Sequence, residues 1–304
     1  MPRLRDLGAF LFIACAWGFS FGAVEIGLTS FPPLLLMAFR YDIAGVLLLG
    51  YAVMESEQWL PTTRADLIAI SGGGLFWIAL GNGVWFVGQS LTSSVLSGVM
   101  FSLIPIMTTV FSWLLLPDDR LTPLSVLGLL LSFLGALVLV WPTGDAIYGS
   151  GALGKGLLLA GVGGAALGSV LIRWAPSNLS SVSLAAWSVL VGAGVIHILS
   201  DQVGAPWSTD VTMSGVISLL YLSVIATMVV YTLYFALLNR YSAIEMTLVG
   251  YLVPPIAAVA GYLLFNEPIT IRTISGFAVI IFGFCLMKRR SLQTYFTRLN
   301  VSSG

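Results

Sequence analysis

LIAISGGGLFWIALGNGVWFV, residues Leu67–Val87, runs for twenty-one residues without a single charge. As a helix rising 1.5 Å per residue, such a run covers about 30 Å, the thickness of a bilayer's hydrocarbon core. Lipid offers no hydrogen bonds, so the backbone must satisfy itself. A helix does this alone, whereas barrel strands are about half as long and alternate in polarity.

Working outward, nine further stretches read the same way: Leu7–Leu28, Leu34–Val53, Thr92–Leu115, Leu124–Trp141, Leu153–Ile172, Val182–Leu199, Met213–Leu237, Ile244–Phe265 and Ile271–Met287. The chain of 304 residues is 58% hydrophobic and 9% charged, with mean hydropathy +0.99, against about 25% charged in soluble domains. The expected fold class is an all-α integral membrane protein with ten transmembrane helices. The first stretch is too long for a signal-peptide core and is read as a retained helix. No room remains for a soluble catalytic domain. Net charge is zero and no aqueous segment carries a basic run, which argues against a nucleic-acid partner. Cys15 and Cys285 both fall inside spans, where packing explains them better than a disulfide.

Basic residues set the orientation. With a cytoplasmic N-terminus, Arg3, Arg5, Arg64, Arg120, Arg173, Arg240, Lys288, Arg289, Arg290 and Arg298 lie inside and only Lys155 and Arg272 outside, as the positive-inside rule requires. Both termini are therefore expected in the cytoplasm. The polar tail, residues 291–304, carries no functional reading.

The chain also repeats itself. Aligning Pro105 with Pro254 sets Ser93 against Ser242 and, after one gapped residue, Leu121-Thr122 against Ile269-Thr270, Gly128 against Gly276 and Gly135 against Gly283, with an acid past each helix end, Asp118-Asp119 and Glu267. This divides the chain into halves 1–145 and 146–290. Five helices per half start the second copy on the opposite face of the membrane, so the halves are expected to be inverted, as in carriers.

Trp17-Gly18, Ala38–Tyr41, Leu103–Pro105 with Asp119–Thr122, and Val253–Pro255 with Asn266–Thr270 resemble the drug/metabolite transporter superfamily. Over about residues 7–287 the chain is similar to the EamA-type ten-helix exporters, bacterial aromatic-amino-acid exporters among them. The resemblance implies two inverted five-helix repeats and export of a small metabolite through a bacterial inner membrane. One departure is Asp118-Asp119, where the second copy has Glu267-Pro268.

Candidate substrate-binding residues follow from depth and spacing. Gly74, Trp77, Gly81, Trp85 and Gly88 recur every three or four residues on the third span and are expected on one face. Trp17 and Phe21 are four apart on the first span, and Trp17 also belongs to the resemblance. Ser97, Met100 and Phe101 precede Pro105, and Thr227, Tyr231 and Tyr234 form a stripe on the eighth span. Each has two readings, cavity lining or helix packing. Asn82, an amide at mid-depth, must bond another helix or a polar substrate group. Pro105, Pro254 and Pro255 are candidate hinges, or static kinks.

Charges in the spans are few. Arg40 is expected to snorkel to Glu25. Asp42 has no partner visible in the sequence and is either silent or a site of proton coupling. Ser242-x-x-Glu245 and Thr63-x-x-Asp66 read as capping boxes, and His197 sits near a helix end.

These features lead to an expected carrier of small amphipathic metabolites working by alternating access, with aromatic or other apolar amino acids foremost and a multidrug or other-metabolite carrier as the alternative. A channel would need a polar file or charge ring. An intramembrane enzyme would need a nucleophile with its base or a metal cluster, which one histidine and two buried-span cysteines do not supply. The expected partners are a small-molecule substrate and the lipid bilayer, with no cofactor or metal.

Overall fold

The computed structural model describes residues 4–92, 100–101, 103–116, 122–140, 151–202, 210–243, 246, 249–265 and 270–287. Among them the regular structure is entirely helical. The helices are α1 (Leu4–Leu28), α2 (Pro33–Glu55), α3 (Arg64–Ser71, Gly72–Val84 and Trp85–Ser90 in unbroken succession), α4 (Ile104–Leu115), α5 (Pro123–Val140), α6 (Ala152–Trp174), α7 (Ser181–Gln202), α8 (Met213–Leu220, Tyr221–Val229 and Val230–Leu238, again unbroken), α9 (Val249–Phe265) and α10 (Ile271–Met287). Six of them, α1, α2, α3, α6, α7 and α8, are long and apolar enough to cross a bilayer, and shorter apolar helices accompany them. Large apolar side chains such as Met54, Leu153 and Ile271 stand exposed on the bundle, a coat suited to lipid rather than water. Cys15 and Cys285 are free and exposed, so neither packs the interior as the sequence suggested.

Two features depart from simple spans. The stretches Gly72–Val84 of α3 and Tyr221–Val229 of α8 are wound as π-helix, in which each N–H reaches back five residues instead of four. In the fourth span the described residues show a helix start at the proline. Met100 and Phe101 are helical, the chain turns at Leu103, and α4 begins afresh at Ile104 with Pro105 in its first turn. Proline is tolerated there because the first N–H groups of a helix lack intrahelical acceptors. Pro254 and Pro255 lie within α9.

In lipid no hydrophobic gain brings helices together, so close packing of small residues does. Gly168 of α6 sits against the backbone of α3; a β-carbon there would lie 2.5 Å from the carbonyl oxygen of Gly72 and 2.6 Å from the nitrogen of Trp77. Gly283 of α10 meets Gly128 and Ser132 of α5 in the same manner. The main neighbours are α5 with α10, α2 with α7, α3 with α6 and α7, α1 with α8 and α9, α2 with α8, and α4 with α6.

Polar seams close the ends of the bundle. At one end Asp66, fully buried, accepts four hydrogen bonds. Its Oδ2 takes the backbone N–H groups of Thr62 (3.1 Å) and Thr63 (2.9 Å), and its Oδ1 takes the Ser177 hydroxyl (2.7 Å) and the Asn178 N–H (3.1 Å). Thr63 completes the capping box. At the same end the Trp187 indole donates to the Trp59 carbonyl, and Tyr241 donates to buried Asp6, which also faces Arg240. The start of α8 is held more lightly, by the Ser30 and Thr212 hydroxyls 2.8 Å apart, with Thr212 capping the Gly215 N–H. The second expected capping box, at Glu245, and the acids Asp118, Asp119 and Glu267 lie outside the described residues, as do Ser97 and the tail.

Candidate functional site

Where α1, α3 and α8 converge, aromatic rings fill the space between them. Trp77 on the π-wound stretch of α3 stacks on Tyr234 of α8 with centroids 4.9 Å apart and planes 17° from parallel, and it lies 4.6 Å from Tyr231 and 5.4 Å from Phe235. Trp17 of α1 closes the group at 6.2 Å from Trp77, 6.4 Å from Tyr231 and 5.6 Å from Tyr234. Tyr41 of α2 adds a fourth helix through a hydrogen bond between its hydroxyl and that of Tyr231, 3.1 Å apart. The Tyr234 hydroxyl reaches Ser169 of α6 at 3.3 Å. Trp77, Tyr231, Tyr234, Tyr41 and Phe235 are all buried. The group therefore combines π-faces, which favour offset or edge contacts with another ring, with hydroxyls that both donate and accept.

Beside the rings lies a buried cation. Arg40 donates through Nε to the Thr227 hydroxyl at 2.6 Å and through Nη2 to the Ala226 carbonyl at 3.3 Å, and its guanidinium sits 5.3 Å from the Tyr41 ring centre. The Thr227 hydroxyl in turn donates a hydrogen bond to the Leu222 carbonyl five residues back. The expected Arg40–Glu25 pair does not form: Glu25 is exposed, and the guanidinium turns instead toward the oxygens of the π-wound stretch. Asp42 does have a partner. Its Oδ2 lies 2.7 Å from Nε2 of His197 on α7, which gives both the unpartnered acid and the lone histidine a place in one pair, away from the rings.

The other candidates divide. Trp85 packs apart from the ring cluster, with Phe101, Met100, Leu158 and Val162, its ring 5.7 Å from that of Phe101. The β-carbons of Trp77 and Trp85 both lie against α6, at Gly168 and Gly161, and Gly81 and Gly88 face α6 as well, whereas Gly74 faces α7. Asn82 makes its hydrogen bond within its own helix. Its amide donates to the Trp77 carbonyl at 3.0 Å, an i−5 bond on its own helix. Phe21 is 53% exposed and stays out of the ring cluster one turn below it. A separate apolar groove of about 570 Å³ lies between α1 and α8, lined by Phe12, Phe19, Ile217, Tyr221 and Leu264 among others, and none of the clustered rings lines it.

The sequence of this bundle matches the model of the EamA-like transporter family over residues 6–141 and 152–289, nearly the whole helical part. The chain belongs to the EamA-like transporter family. It is therefore a multi-pass membrane transporter of the drug/metabolite superfamily. Similar proteins include the uncharacterized transporter YvbV of Bacillus subtilis, 26% identical with 96% of this chain and 94% of the relative covered. The uncharacterized inner membrane transporter YedA of Escherichia coli strain K12 is also 26% identical, with 94% and 92% covered. A protein of Salmonella typhimurium named "Probable amino-acid metabolite efflux pump" is 27% identical, with 90% and 91% covered. A solved crystal structure superposes with a TM-score of 0.79 over 96% of this chain and 99% of its own at 17% identity, a likeness of fold.

Three members of this cluster carry no candidate role from sequence, Tyr41, Phe235 and Ser169, while Arg40 is singled out there only as an intramembrane charge expected to reach Glu25. Tyr41 and Arg40 were within reach, since Ala38–Tyr41 is one of the motifs carrying the family resemblance. Ser169 and Phe235 carry no such signal, because a serine or a phenylalanine in an apolar helix is ordinary.

Proposed function

We propose that this transporter works by alternating access between two inverted five-helix halves, with ten crossings and both termini in the cytoplasm. Its substrates in this reading are small amphipathic metabolites, foremost aromatic or other apolar amino acids, exported through a bacterial inner membrane. The observation that carries the reading is the ring cluster of Trp17, Trp77, Tyr231 and Tyr234, which draws on α1, α3 and α8 and so belongs to both halves. Its π-faces and hydroxyls suit an aromatic side chain with polar groups at one end. Trp85, Met100 and Phe101 form a second apolar surface on the path, and Pro105, Pro254 and Pro255 remain hinge candidates beside it.

Support for inverted halves comes from the neighbour pattern. Adding five to each helix number turns α1·α8 into α6·α3, α1·α9 into α6·α4 and α2·α8 into α7·α3, while α2·α7 and α5·α10 map onto themselves; every one of these contacts is present. The π-wound stretches fall on α3 and α8, again five apart. The amino-acid part of the reading is supported by the name of the Salmonella relative.

The test is counterflow in proteoliposomes. Labelled tryptophan and phenylalanine are expected to exchange and to compete with each other, and Trp17→Ala to cut that exchange at least several-fold in a protein that still purifies as a single species. If threonine exchanges well while tryptophan and phenylalanine neither move nor compete, the aromatic class is wrong; wild-type exchange by Trp17→Ala removes Trp17 from the site.

The Asp42–His197 pair, an acid and an imidazole meeting between two spanning helices at 2.7 Å, is the place for proton coupling in this reading. Asp42→Asn is expected to leave counterflow intact, which needs no proton gradient, and to abolish flux driven by a pH step. Undiminished pH-driven flux discards the role.

A further inference from the structure

Arg40 is 6% exposed on a helix that crosses the membrane, and among the described residues no carboxylate lies within ion-pair distance of it. That is an unusual state for a cation. Buried charges are normally paired, because removal from water is costly unless an opposite charge or a full set of hydrogen bonds repays it. Here two neutral oxygens stand in. The Thr227 hydroxyl and the Ala226 carbonyl meet Nε and Nη2, the edge of the guanidinium that takes the two oxygens of a carboxylate side by side. The second of these bonds is long, 3.3 Å, and the guanidinium has five N–H groups to offer, so its donor capacity is far from spent.

We propose that Arg40 is the carboxylate-recognition group of the transport site, and that Thr227 and Ala226 occupy its fork when no carboxylate is bound. The inference rests on the proposed carrier reading and narrows its substrates to compounds bearing a carboxylate, whether amino acids or related acids, against the corresponding amines. Position favours it. Arg40 is next to Tyr41, whose ring it faces and whose hydroxyl bonds Tyr231 of the cluster. A solute with its ring among Trp17, Trp77 and Tyr231 therefore has a cation one residue along α2 to meet its acid group. Exchange of the neutral oxygens for a carboxylate frees Ala226 and Thr227, both inside the π-wound stretch of α8, so occupancy is felt by the backbone that carries Tyr231 and Tyr234.

The experiment compares tryptophan with tryptamine, the same ring and amine without the acid, by equilibrium binding to the full chain in detergent and by inhibition of counterflow. Leucine and threonine are included as acids without the aromatic ring. Wild type is expected to bind tryptophan at least tenfold tighter than tryptamine. Arg40→Gln is expected to erase that preference by weakening tryptophan at least tenfold while tryptamine is unchanged, and Arg40→Lys to restore part of it. Equal binding of the two compounds by wild type overturns the proposal whether or not the Arg40 variants fold, and so does a parallel loss of both in Arg40→Gln, which marks a structural arginine. If leucine or threonine binds in an Arg40-dependent way and no aromatic compound binds, the aromatic reading falls while the role of Arg40 stands.

Discussion

Gly168→Ala is expected to lower transport at least tenfold and to lower the melting temperature of the purified protein. A methyl group at this position meets the backbone of α3, the Gly72 carbonyl oxygen at 2.5 Å and the Trp77 nitrogen at 2.6 Å, with the Trp77 β-carbon at 2.7 Å. Backbone cannot rotate aside as a side-chain tip can, so α3 must move off α6. Overpacking of this kind costs about 1–3 kcal/mol and sometimes more. The displaced residue is Trp77 itself, which loses its stack on Tyr234, so the effect on transport exceeds the effect on stability. Gly163→Ala on the same helix is the control, since nothing lies within 4 Å of a β-carbon there. Heating followed by size-exclusion chromatography, together with counterflow, reads both quantities. Wild-type behaviour of Gly168→Ala refutes the account of how α3 and α6 position the rings.

The second large effect belongs to Asp66. Its carboxylate receives two donors from its own helix start and two from the connection between α6 and α7, so it fastens two separate parts of the chain at one end of the bundle. Hydrogen bonds to a charged acceptor are worth about 1.5–3 kcal/mol each, and donors left buried without an acceptor cost about as much again. Asp66→Ala is expected to be strongly destabilising. Asp66→Asn retains one acceptor oxygen and falls between, because its NH₂ group meets two donors where the second oxygen stood. A graded fall in melting temperature, wild type above Asn above Ala, is the expected result, with a cysteine at Asn178 becoming more reactive to a soluble maleimide in the same order. An Ala variant as stable and as unreactive as wild type shows that this seam contributes nothing.

What was legible in the sequence and what was not divides along physical lines. The charge-free run Leu67–Val87 announced a membrane helix because the bilayer imposes a length and a polarity that few other settings do. Trp17, Trp77, Tyr231 and Tyr234 could be named as candidates because large rings at mid-depth stand out in aliphatic helices. Trp85 lies against α6 as Trp77 does, yet its ring meets Phe101 instead of the other indole, because a shared face says nothing of which ring stands at which height; nor does anything in GGGLFWIALGNGV declare that residues 72–84 are wound as π-helix. Arg40 meets the Thr227 hydroxyl and the Ala226 carbonyl of α8 in place of Glu25, partners 187 and 186 residues away in sequence. Asp42 and His197 are 155 residues apart, and their meeting depends on α2 lying against α7, a contact no local pattern encodes. For Asp66 the cap was readable from Thr63-x-x-Asp66, whereas Ser177 and Asn178 were visible only once the chain was folded.

The winding of α8 also bears on how so tight a set of rings would open in the proposed alternating-access cycle. A π turn holds one more residue than an α turn, and each α-helical residue accounts for about 100° of azimuth and 1.5 Å of rise. Returning a single turn of Tyr221–Val229 to the narrower form would therefore swivel everything after it, Tyr231 and Tyr234 included, by about a quarter of a revolution. Unscrewing of this sort needs no broken helix and no bend at a proline: the aromatic plug would come out by torsion.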